Sequence, residues 1–206
     1  MNKRMLTSLV IVLGIGLAIG LVWYTTVNNQ DQREESSSID QSAQQTDAAK
    51  FKQQYPKVAA DNRFVFANAD EVVDLFERGD GVVFLGFSEC SWCQQLAPIV
   101  DEAAKAEGLD KIYYLNIREA RQNNDETYRA LVKKLENYLP KDKDGNPRIF
   151  VPDVTVLRQG EIVGRFEQEP TADGEKATSD TYWTSERRER AVAQLQEMMR
   201  REDRDE

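Results

Sequence analysis

The 206-residue sequence predicts an α/β protein, a central mixed β-sheet flanked by helices and preceded by one N-terminal transmembrane helix. Three observations predict it. Short apolar runs of strand character alternate with segments of helical period between Phe64 and Leu139. Two strand-like runs, Asp153–Arg158 and Glu161–Phe166, meet at Gln159-Gly160, a hairpin signal. Met5–Tyr24 is an uncharged, mostly apolar stretch, and about twenty such residues span the roughly 30 Å of a bilayer core as a helix.

Lys3 and Arg4 precede the apolar stretch and no charge follows until Asp31. The positive-inside rule therefore puts residues 1–4 in the cytoplasm and the rest of the chain outside. Trp23 and Tyr24 suit the far headgroup interface. A cleaved signal peptide is the rival reading, but the apolar region is long for one and no clear small-x-small site follows. The favoured layout is an anchor over residues 5–26, a polar linker over 27–50 and a globular domain over 51–206. The linker is rich in Gln, Ser, Asp and Asn up to Ala49, without an aromatic residue, and lacks the surface needed to fold alone. Either reading of the N-terminus exports the domain to an oxidising compartment.

Within the domain, Phe51–Ala60 is expected to hold a short helix and Phe64–Phe66 a short strand. Asp70–Arg78 reads as a helix, with Asn68 or Asp70 as N-cap and Gly79 as its stop. Val82–Phe87 is a continuous apolar run that suits a strand buried on both faces. Ser91–Glu107 is helical, with Leu96, Ile99, Val100, Ala103 and Ala104 on one face and Gly108 ending it. Ile112–Leu115 reads as another buried strand and Asp125–Leu139 as a helix. Pro140–Pro147 is a turn-rich loop, and Glu167–Tyr182 is polar and irregular. Thr184–Arg201 is a terminal helix whose charged end, Arg200–Glu206, is expected to fray.

The chain is acidic, with 36 Asp and Glu against 27 Lys and Arg, which argues against nucleic acid as a partner. It has no histidine, so Ser-His and Cys-His catalysis are excluded. Its two cysteines, in Cys90-Ser91-Trp92-Cys93, cannot supply the four ligands of a structural zinc site. Asp142-Lys143-Asp144-Gly145 hints at a calcium loop, but the first and twelfth ligand positions fall on Pro140 and Val151, and the pattern fails. Arg187-Arg188-Glu189-Arg190 is a solvated helix face. No metal or bound cofactor is expected. What remains is a CxxC placed between a strand and a helix, the layout of a redox-active dithiol/disulfide centre. At a helix N-terminus Cys90 is the nucleophile, because backbone N–H groups and the helix dipole favour its thiolate. Cys93, one turn on, is the more buried resolving thiol.

This order of elements, the CxxC, a proline at Pro98 inside the following helix, Val151-Pro152 before a strand, and the closing hairpin resemble the thioredoxin fold. The resemblance covers about Arg63–Phe166 plus the last helix. The anchor, the polar tether and the CxWC centre resemble the bacteriocin-transport-accessory type of Gram-positive bacteria. The resemblance implies a membrane-anchored, extracytoplasmic thiol–disulfide oxidoreductase. It implies that Pro152 is cis and lies beside Cys90, and that Val151 pairs its main chain with a bound peptide. Partners are then exported proteins or peptides with thiols or disulfides, and a membrane redox partner.

The sequence departs from the thioredoxin pattern in three places. Phe84 stands where thioredoxin has a buried acid. Glu89 stands where it has a tryptophan. The segment Asn116–Phe150 is longer, with room for an extra helix or a partner-binding surface. Glu89 can raise the neighbouring thiol's pKa, serve as a proton donor or acceptor, or be merely solvated. Trp92 can pack on a substrate or within its own domain. A non-catalytic accessory or chaperone-like module is the alternative function.

Overall fold

The computed structural model describes residues 40–171 and 177–200. The expected anchor over 5–26, residues 1–4 and the first part of the linker lie outside the described residues. Among the described residues, no helix is long and apolar enough to cross a membrane.

From Gln44 onward the chain forms a compact unit around a five-stranded mixed sheet of order β1-β3-β2-β4-β5. The strands are β1 (Phe64–Phe66), β2 (Gly81–Gly86), β3 (Ile112–Asn116), β4 (Asp153–Arg158) and β5 (Glu161–Arg165). The first three run parallel, while β4 is antiparallel to β2 and β5 to β4. The helices are α1 (residues 40–54), α2 (Ala69–Arg78), α3 (Ser91–Ala106), α4 (Arg118–Asn123), α5 (Glu126–Leu135), α6 (Ser179–Tyr182) and α7 (Ser185–Met199).

Side chains alternate across a strand, and here the alternation divides one sheet between two cores. Val82 and Phe84 of β2, Ile112 and Tyr114 of β3, and Val154 and Val156 of β4 join α1, α3 and α7 on one face. Val83 and Leu85, Tyr113 and Leu115, and Leu157 join α2 and α5 on the other. Both faces of β2 are covered, as its unbroken apolar run predicts. β3 is different: Tyr113 and Leu115 are only half-buried, so its expected full burial holds for one face.

Local signals set several boundaries. Asn68 caps α2 in a full capping box with Glu71, and Gly79 follows as the C-cap. The β4–β5 turn places Gln159 at φ 52° and Gly160 at φ 81°, the two positive values that a type I′ hairpin turn requires. A Cβ on Gly160 would stand 2.5 Å from the Glu77 backbone, so glycine is also needed for close approach to the end of α2. At the other end of β4, Asp153 is fully buried. It accepts from Arg165 Nε at 2.8 Å and from Thr155 Oγ1 at 2.9 Å. Burial nevertheless holds its carboxyl above the ordinary value, outweighing the Arg165 charge.

Several segments depart from or sharpen the sequence reading. Residues 40–50, assigned to the linker, are helical. Ala48, Phe51 and Tyr55 are buried at the i, i+3, i+7 spacing of one helix face, and Asp47 Oδ2 accepts the Phe66 N–H at 3.1 Å. The helix then stops at residue 54 and turns follow, where a helix to Ala60 is expected. The segment after β3 does hold an extra helix, α4, and the region before α7 holds the single turn α6, capped by Thr178.

Candidate functional site

The C-terminal end of β2 leads through Phe87, Ser88 and Glu89 into Cys90, which is the N-cap of α3. Its Sγ accepts the Cys93 backbone N–H at 3.3 Å, the position that Ser or Asp oxygens usually fill. The loop before it is braced by Gln94, whose Nε2 donates to the Ser88 and Gln54 carbonyls, each at 2.7 Å. Pro98 lies inside α3, which runs on to Ala106.

Both thiols are free; Cys90 is half-buried and Cys93 fully buried. Their environments separate their acidities. Cys90 is lowered from 9.0 to about 6, first by the hydrogen bond from the Cys93 thiol, then by the Cys93 and Trp92 backbone N–H groups and the Arg121 charge, against the effect of burial. Cys93 is pushed well above the ordinary thiol value, chiefly by burial and then by its bond to Cys90. One sulfur is thus a thiolate at neutral pH and the other a proton-bearing neighbour, the asymmetry that exchange chemistry needs.

The Val151-Pro152 peptide is cis, and Cys90 Sγ lies 3.7 Å from the Val151 carbonyl oxygen. The structure therefore brings together three sequence-predicted residues, Cys90, Cys93 and Val151, with Pro152 following Val151 through the cis bond. The other two point elsewhere. Glu89 is exposed, accepts from Ser88 Oγ at 3.1 Å and pairs with Arg118. Its carboxyl is held below the ordinary value by its own backbone N–H first, then Ser88 and Arg118, which makes it a fixed anion, ill suited to donate protons near neutral pH. Trp92 is half-buried, its ring centre 5.4 Å from that of Tyr182 in an edge-on arrangement, so part of its surface packs within the domain.

Phe84 is fully buried behind Cys93. A Cβ on Gly86 would stand 2.7 Å from the Phe84 ring and 3.2 Å from Cys93 Sγ, so ring and sulfur converge on one glycine. Deeper still, Tyr55 donates to the Tyr114 hydroxyl at 3.3 Å. Burial pushes both phenols up, Tyr114 to about 12.

Sequence reasoning missed the cationic flank of the site. The Ile117 N–H donates to the Gly86 carbonyl at 3.2 Å and fixes the start of α4 beside the end of β2. Arg118 and Arg121, one turn apart on α4, then lie over the Phe87 ring. The i, i+3 spacing is readable only once α4 is known to be a helix, and a six-residue helix with no buried residue leaves no apolar period to find.

No family model matches the chain, and no curated protein matches it. Among the described residues, no group of three or more Cys, Asp or Glu side chains is placed to hold a metal ion.

Proposed function

We propose that the protein is a thiol–disulfide oxidoreductase of thioredoxin-like fold, anchored to the membrane with its domain outside the cytoplasm and acting on exported proteins or peptides. The observation that carries this reading is the helix-capping Cys90 sulfur, with the buried Cys93 thiol behind it and the Val151 carbonyl beside it. The sheet order β1-β3-β2-β4-β5, with Val151-Pro152 directly before β4, supports the fold assignment.

In the reducing direction, the Cys90 thiolate attacks a substrate disulfide. The substrate S–S bond breaks, a Cys90–substrate disulfide forms, and one substrate sulfur leaves as a thiolate that takes a proton. Cys93 then gives up its proton and attacks Cys90. The Cys90–Cys93 disulfide forms and the second substrate thiol leaves. The substrate gains two electrons from the pair and two protons, one of them from solvent because Cys90 starts as a thiolate, and an external dithiol must return the electrons. The oxidising direction is the reverse, and an external disulfide then accepts the electrons.

Turnover of insulin disulfides, or oxidative refolding of a reduced substrate, tests this. Folded protein inactive in both assays overturns it. The resemblance of the anchor, tether and CxWC centre supports a narrower role as an accessory to bacteriocin export. The apolar Phe84 behind Cys93 favours a second reading, a binding accessory that does not turn over. Full complementation by a Cys90→Ser, Cys93→Ser double variant would select that second reading.

A further inference from the structure

Three arginines stacked on two aromatic rings lie near Cys90 in a chain whose net charge is −9. The guanidinium carbons of Arg118 and Arg121 stand 6.0 and 5.1 Å from the Phe87 ring centre. Phe87 is adjacent to the site, since its carbonyl accepts the Cys90 N–H at 3.1 Å. Arg148 lies 5.6 Å from the ring centre of Phe150. Phe150 is 49% exposed and immediately precedes Val151, whose carbonyl faces the Cys90 sulfur.

Arg118 is already paired with Glu89. Among the described residues, no carboxylate forms an ion pair with Arg121 or Arg148, whose side chains rest on aromatic faces. An arginine stacked on a ring is partly pre-organised, yet its edge N–H groups stay open to a carboxylate. A surface charge kept only for solubility does not need this placement, and the chain as a whole carries the opposite sign. An acidic substrate also meets a specific obstacle here, because it must approach the Cys90 thiolate, and like charges repel. Arg121 on the Phe87 ring and Arg148, three residues before Val151, offset that repulsion.

We infer that this lip selects extended polypeptide segments that carry an acidic side chain next to their reactive cysteine. The inference rests on the proposed exchange activity. A peptide paired with the Val151 main chain would set its cysteine opposite Cys90; the side chains of its two neighbours then lie on the other face of the strand, and their carboxylates act on the arginines through space, over less than about one Debye length.

The test uses the full-length protein and three otherwise identical peptides with Asp, Asn or Lys on both sides of one cysteine. Each peptide is presented as its disulfide with 2-mercaptoethanol. At low salt the Asp peptide should react about tenfold faster than the Lys peptide, with Asn between, and the spread should shrink at high salt. Arg121→Gln with Arg148→Gln should bring the Asp-to-Lys rate ratio close to one, whereas Arg121→Lys with Arg148→Lys should keep most of it. A wild-type ratio at or below one overturns the inference, and so does a ratio unchanged in the glutamine double variant. Bis(2-hydroxyethyl) disulfide, which is uncharged, separates the levels. If it is reduced while the peptides react alike, only this inference falls. If it is not reduced and no peptide reacts, the exchange activity falls as well.

Discussion

The backbone N–H of Cys93 donates to Cys90 Sγ at 3.3 Å, so the Cys90 sulfur caps the very helix that carries Cys93. A thiolate is a better acceptor than a thiol, and the unpaired N–H groups of a helix start favour negative charge. The Val151 carbonyl at 3.7 Å acts the other way, since it can accept from a thiol but not from a thiolate. The lowered Cys90 pKa means that the helix end and the Cys93 thiol prevail.

The first prediction is a pH profile. Iodoacetamide should modify Cys90 in the reduced protein with a rate that rises to a plateau, with its midpoint at about 6. Cys93 should stay unmodified in the folded protein. Cys93→Ala removes the largest lowering influence, so the midpoint should move upward. A midpoint at the ordinary thiol value of 9.0 in the wild type would contradict the geometry described.

The same group makes stability depend on pH. The folded pKa is depressed, so between the folded value of about 6 and the unfolded value of 9.0 the unfolded chain binds more protons than the folded one. The reduced protein should therefore gain stability as pH rises through that window, and lose it as pH falls toward 6. Denaturant midpoints of the reduced wild type across this range should climb relative to those of Cys90→Ser. Parallel curves would show that the thiolate is not stabilised by folding.

The thiolate also sets the potential. Stabilising the reduced form makes a dithiol pair more oxidising, as the span from thioredoxin, pKa about 7 and about −270 mV, to DsbA, pKa about 3.5 and about −120 mV, illustrates. With Cys90 at about 6, equilibration against glutathione should place the pair between those limits. A potential below that of thioredoxin would require stabilisation of the disulfide that outweighs the helix cap.

At Gly86, an added methyl group meets the Phe84 ring at 2.7 Å and Cys93 Sγ at 3.2 Å. Both neighbours are fully buried, and overpacking of this kind costs about 1–3 kcal/mol. Gly86→Ala should lower stability by that amount in urea titration and alter the rate at which Cys93 resolves a mixed disulfide. Wild-type stability would mean that Phe84 can move aside.

The parts of this molecule legible in the sequence are those whose physics is local. Asn68 and Gly79 bound α2 through caps, Gln159-Gly160 forms its turn, and the unbroken run of β2 is covered on both faces. The placement of the CxxC between a strand and a helix is likewise legible, because the apolar run ends just before it and the helical period starts at Ser91. Val151 meets Cys90 through a cis-proline turn that only the X-Pro pair before β4 foreshadows. The rest depends on contacts distant in sequence. Arg121 lies over Phe87, three residues before Cys90, because Ile117 bonds to Gly86 and starts α4 there. The two readings of Trp92 are separated only by Tyr182, ninety residues later, which supplies the ring it packs on. Composition also misleads, since the Gln- and Ser-rich stretch before Ala49 reads as linker although Asp47 and Ala48 join the domain.

That last point gives a prediction about where the domain begins. Phe51 is fully buried, stacked on Phe64 at 3.9 Å and on Tyr55 at 4.2 Å. It ties α1 to β1, an outer strand that pairs only with β3. Removing a buried phenylalanine side chain costs about 3–5 kcal/mol, so Phe51→Ala should lower the denaturation midpoint more than Gly86→Ala does. Asp47 adds a polar tie through the Phe66 N–H. Asp47→Ala should cost about 1 kcal/mol and speed amide exchange at Phe66 in particular. If residues before Phe51 were only a tether, Asp47→Ala would leave both stability and exchange unchanged. Loss of protection at Phe66 in that variant would mark residue 47 as part of the domain.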